Sequence, residues 1–289
     1  MDKNKKKKKD DNMKSVKICY TKRDNMGDSI NPLIIRNVFG MMPINSNVYN
    51  CRMSGIGSGL HRFLVNTEGC SLENKLKIGV HRFINYKPVT LWSAGFINTP
   101  TGNELPIRKK IRVASVRGNM SKKWVEKILK CNLDCTVGDA GLLASELIPK
   151  QEKQFVLGII PHDNERGEFI YQQIQQTISP TIIIDVRGDV IQRLQQISQC
   201  DCIISSSLHG LVFADSFHIP NRQVVLTDKL AGDGFKFYDY YSSFGLTPNP
   251  IDIKTEKIDI NAIKKDYPIR LDSIEKLKSD IKEAFYRFL

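Results

Sequence analysis

The chain has 289 residues, 41% of them apolar and 26% charged, with a formal net charge of +12. That balance suits a globular protein of one large or two medium domains, whose core needs no staples. Seven cysteines, without CxxC or Cys/His ligand spacing, exclude a disulfide framework or zinc site and favour a reducing, cytoplasmic setting. No apolar run approaches the ~18 residues that span a bilayer.

Residues 1–14 carry seven lysines against three aspartates. No apolar stretch follows, so this reads as a solvated, disordered tail and not a signal peptide. Its charge suits an anionic membrane surface, as a peripheral contact, or nucleic acid. The segment "SVKICY" (15–20) predicts a strand, and "NMGDSINPLIIRNVFG" (25–40) a loop opening a helix. A second strand is expected in "NVYNCRMSGIG" (47–57), ending at a glycine-rich turn. Further strands are "PVTLWSAG" (88–95) and "KIRVASVRG" (110–118), the latter followed by the helix "NMSKKWVEKILK" (119–130). "CTVGDAGLLASELIP" (135–149) closes the first half.

After "KQEK" the pattern restarts. Strands are expected at 154–162, 180–186, 200–207 and 221–227, with helices at 167–177, 188–199 and 209–219 between them. "SIEKLKSDIKEAFYRFL" (273–289) predicts an amphipathic helix. Strands alternating with helices imply parallel sheets. The expected fold class is therefore α/β: two Rossmann-like domains, residues 15–150 and 151–272, facing each other across a cleft, with the helix 273–289 as a clamp.

Ligands of such sheets bind beyond the carboxyl ends of the strands. That rule gathers four stretches: Asn25, Gly27 and Asp28 in "NMGDS"; Gly55–Gly59 in "GIGSG"; Arg117–Gly118; and Ser205, Ser206, Ser207 and His209 in "SSSLHG". A helix opening at "SSSLHG" offers free N–H groups, hydroxyls and an imidazole to an anion. Arg117 is suited to grip a carboxylate or phosphate bidentately. Asp28 is either a helix cap or a base, and His162 ends another strand. "GIGSG" lacks the dinucleotide-binding spacing, and His61, His81 and His218 have no suggestive context.

The stretches "NMGDSI", "GIGSG", "SVRGNMSKKWVE", "VGDAGLL", "LGIIPH" and "IISSSLHGLVFADSFHIP", in this order over roughly residues 15–245, resemble the polysaccharide pyruvyl transferase family. The resemblance implies a fold similar to GT-B glycosyltransferases, with the acceptor on the N-terminal side and the donor on the C-terminal side. It implies transfer of pyruvate from phosphoenolpyruvate to a sugar of a polysaccharide or glycan precursor, usually as a cyclic ketal; whether the acceptor is lipid-linked stays open. It places Arg117 and His209 at the donor and assigns a basic residue after the histidine to Lys229. Two positions depart from the family: Ala140 stands where proline is frequent, and Ser207 where several members carry arginine, with Lys236 the candidate replacement cation.

Phosphoenolpyruvate brings a carboxylate and a phosphate, which Arg117, Lys229 and a helix N-terminus would match. His209 is the expected acid for the enol carbon and Asp28 the expected base for the attacking hydroxyl. A helix N-terminus would lower the His209 pKa and a bound donor would raise it. No cofactor or metal is expected. The rival readings are a GT-B glycosyltransferase using a nucleotide sugar and a basic nucleic-acid-binding protein. Against the latter, no helix-turn-helix, finger or RNA-recognition motif is present, so no specific nucleic acid partner is expected.

Overall fold

A computed structural model describes residues 13–227 and 232–287. Two five-stranded parallel sheets carry the architecture. The first is built from β1 (Ser15–Cys19), β2 (Met42–Asn45), β3 (Met53–Ser54), β4 (Val89–Leu91) and β5 (Ile111–Val113), in the order 2-1-3-4-5. The second contains β6 (Leu157–Ile160), β7 (Thr181–Ile183), β8 (Ile203–Ser205), β9 (Asn221–Val225) and β10 (Ile251–Asp252). Its order, 7-6-8-9-10, repeats that of the first. The expectation of parallel α/β structure in both halves is met, and the central strands are short apolar runs, as parallel strands covered on both faces must be.

Helices α1 (Met26–Asn37), α2 (Leu72–Ile84) and α3 (Asn119–Leu129) belong to the first half. In the second lie α4 (Phe169–Thr177), α5 (Val190–Ser198), α6 (Leu208–Ser216), α7 (Phe235–Ser242) and α8 (Ile260–Lys265). The final helix, α9 (Leu271–Arg287), returns to the first half. There Phe285 stacks on Phe39, with centroids 3.8 Å apart, and Trp92 Nε1 donates to the Ile281 carbonyl at 3.2 Å. Each fully buried aromatic ring contributes about 1.5–3 kcal/mol, so this contact holds α9 firmly against the first sheet.

Direct bonds also join the two halves. Met26 N–H donates to the Val186 carbonyl (2.6 Å), and Gly188 N–H donates to Asp24 Oδ1 (2.8 Å). Both lie next to the start of α1, so the turn expected to carry site residues is braced by the opposite half. Residues 1–12 of the lysine-rich tail, and Lys229, lie outside the described residues.

Candidate active site

β1 ends at Cys19, and the chain then turns through "TKRDN" into α1. Asn25 caps that helix, its side-chain oxygen accepting the Gly27 N–H at 3.0 Å, and Asp28 occupies the first turn. Across from it, β8 ends at Ser205, and Ser207 opens α6 with extended backbone. These two helix starts meet at His209. A Cβ added at Gly27 would stand 2.1 Å from its Nδ1, so only glycine lets α1 approach the imidazole this closely.

Around this junction is a cavity of about 440 Å3, lined from beyond strands of both sheets. β1 and β3 supply Thr21, Arg23 and the 55–59 loop, followed by His61 and Arg62. His162 follows β6, and Ser207 and His209 follow β8. Lys236, from α7, completes the wall beside them. Asn25 and Asp28 line the cavity as well.

The three serines separate into different tasks. Ser205 Oγ donates to the Ile160 carbonyl (2.7 Å) and accepts the Ser207 N–H (3.0 Å). Ser206 Oγ accepts the His162 N–H (2.8 Å) and shares a hydrogen bond with the Tyr171 hydroxyl (3.1 Å). Both serines are fully buried, tie β8 to β6, and do not line the cavity. Only Ser207 faces it, and its hydroxyl does not cap α6. Gly27, likewise expected to touch ligand, packs against His209 and is not part of the lining.

Arg117 is placed differently from the expectation of an open cation. It is fully buried, with Nε donating to Asp239 Oδ2 at 2.9 Å and Nη1 to Ser58 Oγ at 2.9 Å, while Nη2 donates to the Phe96 carbonyl. Asp239 in turn accepts the Ser121 N–H (2.7 Å) and hydroxyl (2.6 Å), joining α7 to the start of α3. Every guanidinium nitrogen is thus engaged within the protein. Arg117 stands behind the wall, holding the Ser58 side chain that lines it.

The cavity's charge is set by Arg23, Arg62 and Lys236 against Asp28 and Asp163, the latter paired with Arg187 at 2.7 Å. Arg62 Nη2 donates to Thr21 Oγ1 at 2.6 Å. Lys236 is 8% exposed, and among the described residues no acceptor lies within hydrogen-bonding distance of its ammonium. Burial brings its pKa down to about 8, with Arg117 pushing the same way and Glu165 opposing. The His209 Nε2 is buried and also without a partner among the described residues. Burial, and not a helix terminus, is the main reason its pKa falls to about 4; Asp28 opposes this, while Arg117 and Lys236 add to it. Asp28 moves the other way, raised by burial. Burial thus holds each member of this pair toward its neutral form.

Arg23, Arg62 and His61 escaped the sequence reading. Arg62 and His61 lie in a short 3-10 turn, Leu60–Arg62, directly after the glycine loop. "GIGSGLHR", which extends that motif by three residues, would have reached both. Ala140 also has a physical account: its N–H donates to Ser93 Oγ, a bond that proline cannot make.

The chain is thus a parallel α/β protein with a polar cavity beyond its strand ends, where such sheets bind their ligands. More narrowly, this chain belongs to the polysaccharide pyruvyl transferase family, whose profile matches residues 81–225. That span includes Arg117, His162 and His209, and leaves Asp28, Arg62 and Lys236 outside. An uncharacterised protein, L143, of Acanthamoeba polyphaga mimivirus is 32% identical over 136 residues, 45% of this chain and 47% of that protein. The succinoglycan biosynthesis protein ExoV of Rhizobium meliloti (strain 1021) is 31% identical over 67 residues, 23% of this chain and 21% of its own length. The matched portion is thus less than half of either relative.

Proposed function

We propose that the protein transfers pyruvate from phosphoenolpyruvate to two hydroxyls of one sugar in a polysaccharide or its precursor, forming a ketal. One observation carries the reading: in a chain of this family, His209, Asp28, Lys236 and Arg62 line a single cavity with the start of α6. The name of the ExoV relative, a succinoglycan biosynthesis protein, agrees with a polysaccharide acceptor. The repeated sheet order and the cavity's two-sided lining favour a GT-B-like arrangement, with donor and acceptor meeting at the cavity.

In this reading Lys236, Arg62 and the α6 N–H groups receive the donor's phosphate and carboxylate, and Ser207 offers a hydroxyl. Lys236 takes the part of the arginine that Ser207 replaces. Binding this anion raises the His209 pKa, because a full negative charge nearby outweighs the burial that holds the ring neutral. His209 then delivers a proton to the methylene carbon of the enol, which becomes a methyl group, and positive charge develops at C2. A sugar hydroxyl attacks C2 and passes its proton to Asp28. The C2–O bond to phosphate breaks, and a second hydroxyl of the same sugar closes the ring and releases its own proton. Arg117 positions the cavity wall without touching substrate.

The test is phosphate release from phosphoenolpyruvate with a panel of galactosides, glucosides and mannosamine derivatives. Acceptor-dependent release, with an acid-labile pyruvate ketal on the acceptor by mass spectrometry, is expected. Silence across the panel, with thermal protection by a nucleotide sugar and none by phosphoenolpyruvate, would instead identify a glycosyltransferase.

A further inference from the structure

We propose that α2 is an in-plane anchor for an anionic lipid surface. None of its residues is buried. It leans on the body through one side only: the His81 ring stacks on Tyr49, centroids 4.6 Å apart, and Ile78 and Asn85 are half-buried. At about 100° per residue these three share one side of the helix. The opposite side presents Leu72, Leu76, Val80 and Phe83, which are 79%, 63%, 56% and 79% exposed. Their spacing of four, four and three makes one continuous apolar stripe. An amphipathic helix of a globular protein normally turns such a stripe to the core. Here the fold mounts it outward.

The stripe has a charged rim. Lys75 and Arg82 project along one edge and Lys77 along the other. The helix holds one acidic residue, Glu73, and it is paired with Lys77 at 2.6 Å. Where the helix ends, Ile84 and Tyr86 are 63% and 64% exposed, and both line a cavity that also holds Lys17, Arg52 and Lys87. Apolar side chains flanked by cations fit a surface that is apolar inside and anionic at its face. Leucine and phenylalanine enter the acyl boundary, while lysine and arginine reach the headgroup phosphates. An antiparallel second copy of this chain fits poorly, because its helix would set Lys75 and Arg82 against their own counterparts. The inference concerns attachment and does not depend on which donor the cavity takes.

The experiment uses the full chain with vesicles of phosphatidylcholine alone, or with one-third phosphatidylglycerol. Co-sedimentation should be at least ~10-fold stronger on the anionic vesicles and weaken in high salt. Substituting Leu76→Ser and Phe83→Ser together should reduce binding at least ~10-fold, since each removes several methylene equivalents of insertion. Both positions are exposed, so an unchanged melting temperature should show that the fold is kept. Phe83→Trp should give a blue-shifted emission on anionic vesicles. Three results would overturn the proposal. One is no anionic binding. Another is binding that survives the double substitution but disappears on deleting residues 1–12. The third is a solution dimer that the double substitution dissociates, showing that a second copy covers the stripe.

Discussion

Gly27→Ala isolates the contact on which the site turns. Inside a helix, replacing glycine by alanine normally stabilises by about 1 kcal/mol, because it restricts the unfolded chain. At Gly27 the new Cβ would meet His209 Nδ1 at 2.1 Å, Cγ at 2.6 Å and Cε1 at 2.8 Å. Carbon contacts prefer about 3.5–4.0 Å, so the ring or the helix start must move by more than an ångström. Overpacking of this kind costs about 1–3 kcal/mol. The balance is a loss of zero to about 2 kcal/mol, a fall of a few degrees in Tm for a chain this size. Turnover is far more sensitive. A displacement of an ångström at a reacting group is worth on the order of 100-fold, so kcat for phosphate release should fall about that much while the protein still melts cooperatively.

The double variant Gly27→Ala/His209→Ala separates packing from propensity. With the imidazole gone, the alanine introduced at position 27 should recover its helical advantage, and the two changes should couple by about 1–3 kcal/mol. Urea unfolding of the four proteins and the phosphate assay are the measurements. If Gly27→Ala alone raised Tm and kept full turnover, the imidazole would not lie against α1, and its place in the site would be refuted.

His209→Gln should keep the fold and lower kcat by about 10²–10⁴-fold, the range for a lost general acid; near-normal kcat in a folded variant would move the acid elsewhere, with His162 next to be tested. The Lys236 ammonium has a pKa of about 8, so its cation is present below that pH and lost above it. The KM for phosphoenolpyruvate should therefore rise as pH passes through 8, and Lys236→Met should raise KM at neutral pH and remove that rise. Arg117→Met leaves Asp239 buried without its ion-pair partner, so urea unfolding should show a loss of about 3–5 kcal/mol; unchanged stability with a large rise in KM would make Arg117 a direct donor contact instead.

Most of both sheets was legible because doubly covered parallel strands are apolar runs punctuated by turns. The structure trims them: "PTIIIDV" yields only Thr181–Ile183, and "KIRVASVRG" divides into Ile111–Val113 and Ser115–Val116. Five labelled elements stayed hidden, β2, β10, α2, α7 and α8, three of them for reasons the structure shows. β2, "MPIN", contains a proline and lacks alternation. α7, "FKFYDYYS", has aromatic residues of middling helix propensity and is held by Asp239 bonds to residues more than 100 positions away. α2, whose apolar residues have helical spacing, was not among the expected helices, and periodicity could not have said that its stripe faces away from the core.

The site shows a similar division. The strand-end rule places a residue near a cavity, but the direction of its side chain depends on alternation along the strand and on what the facing strand requires. Asn25, Asp28, Ser207 and His209 face the cavity. Ser205 and Ser206 point into the β6 contact, and Arg117 points at a carboxylate 122 residues later. The buried arginine therefore leaves the task that sequence position suggested, being committed to Asp239, while the wall-lining Lys236, the candidate replacement cation, has no acceptor among the described residues. Burying an unpaired ammonium costs stability unless an anion arrives. The largely buried Lys236, whose ammonium stands 5.3 Å from the Phe237 ring centroid and meets no anion among the described residues, carries part of that cost, beside a His209 with an unpartnered Nε2. In the proposed reaction both deficits would be relieved by one kind of visitor, an anion that pairs with the lysine and raises the imidazole pKa, so that affinity for the donor and supply of the proton would arise from the same burial.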